Sequence, residues 1–308
     1  MIETLTLLLV ACSTAQDPPT PPVTPPAVAA PGPTATAADQ PELPLDLQEL
    51  AMRVETAHRP KGPVPPITAI RSDLKLHLLD PAAEQRGEVE LTMQYLAWTP
   101  PGKTKARSLL RYEMLQEGKP IVRGVDRFGP WQLSQGEPQD ITATQDLEQC
   151  DRQTNLTKQL LRFLSPGEVL RSLERPSAVR DEVLKVDRTR SVPCRVVDGD
   201  LATFPLLQRG GEDAPARLRI HVDRERGVLL AVDAWPLLDG KPDPARQERI
   251  VLVDLQERDG LLVPHELRWL FLDERGVLRQ NSKAVLTTLQ LRPELSVTAF
   301  DRKKAAPR

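Results

Sequence analysis

The side chains best suited to acid–base or metal chemistry are scattered along this chain. The four histidines are His58, His77, His221 and His265, and none lies within four residues of another. His221 and Asp223 are two residues apart, so on a β-strand they would share one face, as an acid–base pair or two metal ligands do. On a solvent-facing strand such a pair is more commonly a solvated surface feature. We therefore predict no catalytic residue here.

Familiar catalytic and nucleotide-binding motifs are absent from the sequence. It contains no P-loop, no dinucleotide-binding glycine pattern, no His-Glu-x-x-His and no Gly-x-Ser-x-Gly. The Asp198-Gly199-Asp200 run resembles a fragment of a calcium loop but lacks the other ligands. We therefore interpret it as a plain turn. We predict no metal, no cofactor and no enzymatic activity.

The three cysteines fall into two regions. Cys12 lies near the N-terminus, and Cys150 and Cys194 lie in the body of the chain, without companion ligands at zinc spacing. In an exported protein these last two can pair as a disulfide, and otherwise they are two separate buried thiols. The spacing leaves both alternatives open.

Residues 1–15 carry the features of an export leader. The apolar run from Leu5 to Ala11 is too short to span a bilayer and is typical of the central region of a signal peptide. Leu9-Val10-Ala11-Cys12 resembles a bacterial lipobox, which implies a lipid anchor on Cys12. Alternatively, cleavage after Ser13-Thr14-Ala15 would release a soluble protein. Both alternatives predict an exported protein, either periplasmic or anchored to the outer membrane.

Residues 16–44 predict a disordered linker. The stretch is rich in proline, which has no backbone N–H and disfavours a helix at the residue before it, and it shows no apolar periodicity. Such a segment is an extended tether that holds a domain away from a surface.

The body of the chain alternates between two apolar periods. Period-two alternation from Ile67 to Leu133 predicts four antiparallel strands, and about seven more follow between Val179 and Leu291. A three-to-four-residue period predicts helices at Asp46–His58 and Asp146–Leu164, with a short second helix ending at Leu173. The expected fold is α+β and mainly β.

About ten or eleven strands in one sheet should curl into a half-barrel. We expect one domain over residues 45–301, with an N-terminal helix, a central helical lid across the apolar face, and a disordered basic tail at 302–308.

The order of elements resembles the LolA/LolB-like lipoprotein-localisation factors. Arg111-Tyr112-Glu113 is similar to the family's third strand and residues 125–131 to its next strand, while 262–267 and 289–300 resemble its closing strands. The resemblance implies a lipid or lipoprotein acyl chain bound between sheet and lid.

The candidate groove residues are the apolar side chains that would face each other across sheet and lid. They are Leu74, Leu76, Leu91, Met93, Tyr95, Leu110, Tyr112 and Met114 from the sheet, and Leu160, Phe163, Leu164 and Val169 from the helices. The same apolar pattern is compatible with a ligand groove and with a dry packed core. The two functional hypotheses are accordingly a non-enzymatic acyl-chain carrier and a structural or interaction protein of the envelope.

Composition excludes one large class of partner. The chain has 308 residues, a net charge of -2 and only 4% aromatic residues. A nucleic-acid-binding protein needs a positive field or stacking aromatics, so we expect no nucleic acid partner.

Overall fold

The computed structural model describes residues 44–79, 85–104, 106–116, 119–134, 136–186, 189–207 and 214–304. The leader and nearly all of the linker lie outside these residues, so the lipobox at Cys12 and the domain boundaries stay predictions. The described residues belong to a compact unit that begins at Pro44.

The described residues contain three α-helices and fourteen β-strands. The helices are α1 (Leu45–His58), α2 (Thr144–Phe163) and α3 (Pro166–Arg171). The strands are β1 (Ala69–Leu79), β2 (Gln85–Trp98), β3 (Arg107–Gln116), β4 (Lys119–Asp126), β5 (Gly129–Ser134), β6 (Glu137–Asp140), β7 (Arg180–Lys185), β8 (Ser191–Phe204), β9 (Ala214–Asp223), β10 (Leu229–Leu238), β11 (Lys241–Pro242), β12 (Glu248–Arg258), β13 (Leu261–Leu272) and β14 (Leu278–Leu291).

The strands form a single antiparallel sheet whose order is β6-β5-β4-β3-β2-β1-β14-β13-β12-β10-β9-β8-β7, with β11 paired to β10 alone. The sheet is curled and does not close, which confirms the predicted half-barrel. It has fourteen strands because the tail of the expected fourth strand becomes a separate strand, β5, and because β6 and β11 are short strands that were not expected. Gly129, at φ 137°, begins β5 directly after the turn at residues 127–128.

A central seam joins two meanders, each built from neighbours in sequence. Strands β1 to β6 run outward from the seam on one side, and β14 to β7 run outward on the other. At the seam, β1 pairs with β14 from Ile70 opposite Leu291 to Leu78 opposite Ser282. The Ser72 hydroxyl donates to the Thr288 carbonyl oxygen across it at 3.0 Å.

The connectivity places the helices across one face of the sheet. Because β6 and β7 are its two opposite edges, the segment that links them, which contains α2 and α3, has to cross the sheet. Helix α1 packs on α3, and a Cβ added at Gly167 would lie 3.1 Å from the Ala51 carbonyl oxygen. The close approach of these two helices therefore depends on a glycine.

The C-terminal residues that the structure describes are tied to the sheet. Arg302–Lys304 form a 3₁₀ turn. The Arg302 guanidinium donates to both oxygens of Asp126, at 2.7 and 2.9 Å, and to Asp140. Arg302 therefore joins the β4–β5 turn and the edge strand β6.

Candidate ligand cleft

The twelve candidate groove residues lie on the packed face between the sheet and the helices. Ten are buried: Leu74, Leu91, Met93, Tyr95, Leu110, Tyr112, Leu160, Phe163, Leu164 and Val169. Leu76 and Met114 are partly buried. Most of the interface is thus filled by side chains, as expected for a folded core.

Helix α2 touches the sheet through a buried hydroxyl. The Thr157 Oγ1 lies 2.7 Å from the Met93 sulfur and 3.3 Å from the Tyr112 hydroxyl oxygen. Burial raises the pKa of Tyr112, with the hydrogen bond to Thr157 opposing that shift. The phenol therefore stays neutral and acts as a structural hydrogen-bonding group.

A second polar contact fixes the middle of α2. Trp269 Nε1 donates to Gln159 Oε1 at 2.9 Å, and Gln159 Nε2 donates to the Pro205 carbonyl oxygen at 2.6 Å and to Glu248 Oε1 at 2.9 Å. The Leu207 N–H donates to the other Glu248 oxygen at 2.9 Å. Gln159 and Glu248 are fully buried, so this network is shielded from competing water.

Space for a ligand remains beyond the C-terminal part of α2. A cleft of about 510 Å³ opens there, between α2, α3, the segment before β1, and strands β2, β3 and β13. Its lining consists of Arg59, Val64, Pro65, Pro66, Ile67, Tyr95, Ser108, Lys158, Leu161, Arg162, Leu164, Ser165, Glu168, Val169 and Leu261. The volume lies within the range of small-molecule sites, roughly 300–1,000 Å³.

The cleft lining combines apolar and polar side chains, its accessible surface is more polar than apolar, and its cations outnumber its carboxylates. Its aliphatic, prolyl and aromatic side chains outnumber its charged ones, which are Arg59, Lys158, Arg162 and Glu168. Lys158 and Arg162 are four residues apart in α2, so they lie on one face of the helix. Arg59 also pairs with Glu55.

His58 holds one wall of the cleft in place. Its Nε2 accepts the Leu229 N–H at 3.0 Å, and its Nδ1 lies 3.3 Å from the Leu262 carbonyl oxygen, to which it donates. Burial lowers the pKa of His58 to about 4, while the hydrogen bond to Leu262 partly opposes this shift. Arg59, the next residue in sequence, lines the cleft, and the two hydrogen bonds of neutral His58 hold this end of α1 against β10 and β13.

Three of the candidate groove residues line this cleft: Tyr95, Leu164 and Val169. The other nine pack elsewhere along the interface. The sequence reading missed Arg59, Lys158, Arg162, Leu261 and the segment 64–67. No signal in the sequence identifies these residues, because they come together only through tertiary packing.

The His221–Asp223 pair predicted to share a strand face does not interact as a pair. His221 Nε2 lies 3.0 Å from an oxygen of Asp233 on the adjacent strand. The Asp233 carboxylate also accepts two hydrogen bonds from Arg249, at 2.5 and 2.8 Å. Although burial opposes it, these hydrogen bonds from His221 and Arg249 hold the pKa of Asp233 below its usual range. Asp223 instead accepts the Glu225 N–H at 2.9 Å.

The other candidate polar residues also have structural partners. Asp198 pairs with Arg219 at 2.7 Å, and Asp200 pairs with Arg175 at 2.6 Å. Both carboxylates of the run that resembles a calcium loop therefore form ion pairs within the protein. Within the part of the chain that the structure describes, no group of three or more metal-ligating side chains occurs.

Cys150 on α2 and Cys194 on β8 are both free, buried thiols. Burial raises the pKa of each to about 11, so both stay protonated at neutral pH. The structure thus has the two separate thiols that were one of the alternatives.

Comparison with known proteins gives likeness in architecture alone. No family model matches the chain, and a search of curated proteins finds no match. A DUF1329 family protein from Desulfovibrio piger is 10% identical, with a TM-score of 0.45 over 83% of this chain and 96% of that one. A putative outer membrane lipoprotein-sorting protein domain from Vibrio parahaemolyticus is 11% identical, with a TM-score of 0.39 over 83% and 96%.

A LolA superfamily protein from Nitrosomonas europaea is 10% identical, with a TM-score of 0.36 over 84% of this chain and 98% of that one. No helix of the described residues is long and apolar enough to cross a membrane.

Proposed function

We propose that this chain is an exported, non-enzymatic protein of the bacterial envelope that binds an acyl chain, from a lipid or a lipoprotein, in the cleft beside α2. The observation that carries the proposal is the cleft of about 510 Å³, partly lined by aliphatic side chains, at the end of an otherwise filled interface. Export is inferred from the leader and the proline-rich tether.

An acyl chain would lie on the aliphatic part of the cleft lining. Each methylene group moved from water into an apolar site contributes about 0.8 kcal/mol. Val64, Ile67 and Leu161 are partly exposed in the lining and offer aliphatic surface for such a chain.

A second candidate function is that of a structural or interaction protein with a filled core. The observation that favours it is the fixed position of α2, which Gln159 holds to Trp269 and Glu248. In that case the cleft would be a surface depression without a ligand.

Native mass spectrometry of the protein purified from a bacterial envelope, followed by organic extraction, separates the two candidates. The wild-type protein should carry an acyl species that is released on denaturation. Ser108→Trp should lose it, because Ser108 lines the cleft and the larger side chain fills the space.

The matched control is Gln290→Trp, which places the same side chain at an exposed position of β14 outside the cleft. An acyl species kept by both variants would place the binding site elsewhere. An empty wild-type protein that also fails to take up an acyl chain in vitro would favour the structural alternative.

A further inference from the structure

We propose that the β4–β5 turn docks this domain on an anionic phospholipid surface, with the Phe128 ring entering the headgroup region and the basic residues around it binding lipid phosphates. This inference goes beyond the proposed function, because docking on a membrane does not require a ligand in the cleft. It gives the folded domain a membrane contact of its own, separate from the lipid anchor predicted at Cys12.

The starting observation is an exposed aromatic ring at the tip of a hairpin. Phe128 lies in the turn between β4 and β5 and is 72% exposed. It is the only aromatic residue among the large apolar side chains that the described part of the chain exposes. Single exposed apolar residues are common on protein surfaces, so the surroundings of this ring have to carry the argument.

The first of these surroundings is a turn that is held in one conformation. An oxygen of the Asp126 carboxylate accepts the N–H groups of Phe128 and Gly129, at 2.8 and 3.1 Å. Arg302 in turn donates to both Asp126 oxygens. The ring therefore projects from an ordered turn, and binding through it loses little backbone freedom.

The second is positive charge around the ring. The guanidinium carbons of Arg127 and Arg302 lie 4.8 and 5.9 Å from the centre of the ring. Lys103 and Arg107, which flank the neighbouring β2–β3 connection, are exposed, as is Lys303 next to Arg302. These five cations outnumber the carboxylates that pair with Arg127 and Arg302, which are Asp126, Asp140 and Asp301. The tip thus complements a negatively charged surface.

The third is the position of the tip beside the cleft. Arg107 begins β3, and its Nη1 lies 3.5 Å from the Arg127 carbonyl oxygen. The next residue, Ser108, lines the cleft. Tyr95 lies opposite Leu110 near the same end of the β2–β3 pair and also lines the cleft. A domain docked through Phe128 would hold the cleft near the bilayer, where an acyl chain can transfer with little exposure to water.

A lone aromatic ring within a rim of cations matches a lipid surface better than a protein partner. Segments that lie in the membrane interface combine Phe, Trp or Leu with Lys and Arg in this way. A stable protein–protein interface needs a larger buried apolar centre than one side chain supplies.

The experiment is sedimentation of the protein with sucrose-loaded vesicles, either of phosphatidylcholine alone or of phosphatidylcholine and phosphatidylglycerol in equal parts. All proteins are full-length chains with Cys12→Ala, so that an N-terminal lipid anchor cannot cause binding. The protein should bind the vesicles that contain phosphatidylglycerol, and higher salt should weaken this binding.

Two variants at the tip test the two kinds of contact. Phe128→Ser and Lys103→Gln/Arg107→Gln should each bind the anionic vesicles roughly tenfold more weakly. The matched controls lie at the opposite end of the sheet and are equally exposed in kind: Leu115→Ser at the end of β3, and Lys241→Gln/Arg275→Gln. Both controls should bind like the parent protein, and thermal unfolding verifies that every variant is folded.

Entry of the ring into the bilayer has its own readout. In Phe128→Trp, the added tryptophan should shift its fluorescence emission to the blue when anionic vesicles are added, relative to the parent protein under the same conditions. An unchanged spectrum would overturn insertion of this ring.

The remaining outcomes separate docking from ligand binding. A parent protein that does not sediment with either kind of vesicle would overturn the docking proposal and leave acyl-chain binding in the cleft standing. Equal weakening by Phe128→Ser and Leu115→Ser would overturn the assignment of the β4–β5 turn. Loss confined to the tip variants would support it, whether or not the cleft carries an acyl chain.

Discussion

Two buried histidines of this protein make different kinds of contact. His58 lies between a backbone N–H and a backbone carbonyl oxygen, an arrangement that requires the neutral ring because one nitrogen must accept. His221 instead contacts the Asp233 carboxylate. The sequence shows both as lone histidines, because their partners come from other strands and depend on the register of the sheet.

We expect the stability of the protein to fall as the pH drops from 7 to 4, in part because of His58. The folded-state pKa of about 4 lies below the ordinary value of 6.5. The stabilising contribution of the neutral ring is therefore complete above pH 6.5 and is lost as the pH falls through the folded-state pKa. Between pH 7 and 4 this loss is about 3 kcal/mol.

The measurement is the free energy of unfolding by urea at several pH values for the wild-type protein and for His58→Gln. Glutamine can accept and donate in the same place but does not titrate in this range. The variant should show a shallower decrease with pH. Identical slopes would mean that His58 does not control acid stability.

Gly124 of β4 should not tolerate a side chain. A Cβ there would lie 2.5 Å from the Leu110 carbonyl oxygen and 2.8 Å from the Trp131 ring. We expect Gly124→Ala to cost about 1–3 kcal/mol, the usual range for overpacking. Gly87→Ala is the control, since nothing lies within 4 Å of the added carbon. Chemical denaturation should separate them, and equal stabilities would disprove the steric argument.

At the scale of elements, α2 and α3 form a fixed cover with an opening at one end. The sequence predicts both helices well, since apolar spacing placed α2 at Asp146–Leu164 and the structure has Thr144–Phe163. It could not predict the cleft, because apolar periodicity shows which face is covered but not how completely. Segment 64–67 has no periodicity at all, so its position beside α2 depends on tertiary packing.

The polar contact at the middle of α2 should contribute strongly to stability. Gln159→Leu removes the partner of Trp269 Nε1 and leaves Glu248 with one hydrogen bond fewer, both in the buried interior. Unsatisfied buried groups cost about 1–3 kcal/mol each, so we expect a loss of roughly 2–4 kcal/mol. Urea unfolding measures this loss.

The control for that substitution is Gln139→Leu on the exposed edge strand β6. It should change the unfolding free energy by less than about 0.5 kcal/mol. If both variants are equally stable, the buried network is not what holds α2 on the sheet.

At the scale of the whole molecule, the sequence predicted the class of fold because nearly every strand alternates in hydrophobicity. It underestimated the number of strands, because β6 and β11 are too short and too exposed to show alternation. The pairing of β1 with β14 also could not be predicted, since no local pattern specifies which distant strand completes a sheet.

The N-terminal region leads to a prediction about location. If the lipobox-like sequence directs lipidation, Cys12→Ala should move the protein from the membrane fraction to the soluble fraction of the envelope. Cell fractionation followed by immunoblotting measures this change. Cys194→Ala is the control, because this buried thiol lies in β8 and should not affect the distribution. An unchanged distribution of Cys12→Ala would favour the soluble form.

The central seam also determines the order in which the chain can fold. Ser72 and Thr288 are 216 positions apart in sequence, so β1 has no partner on one side until the last strand is available. Closing a loop of that length is slow, and an unpaired central strand is prone to aggregation. In refolding followed by pulsed hydrogen exchange, the β1 amides that face β14 should gain protection after those that face β2. A nascent chain therefore stays vulnerable until its final strand has left the ribosome.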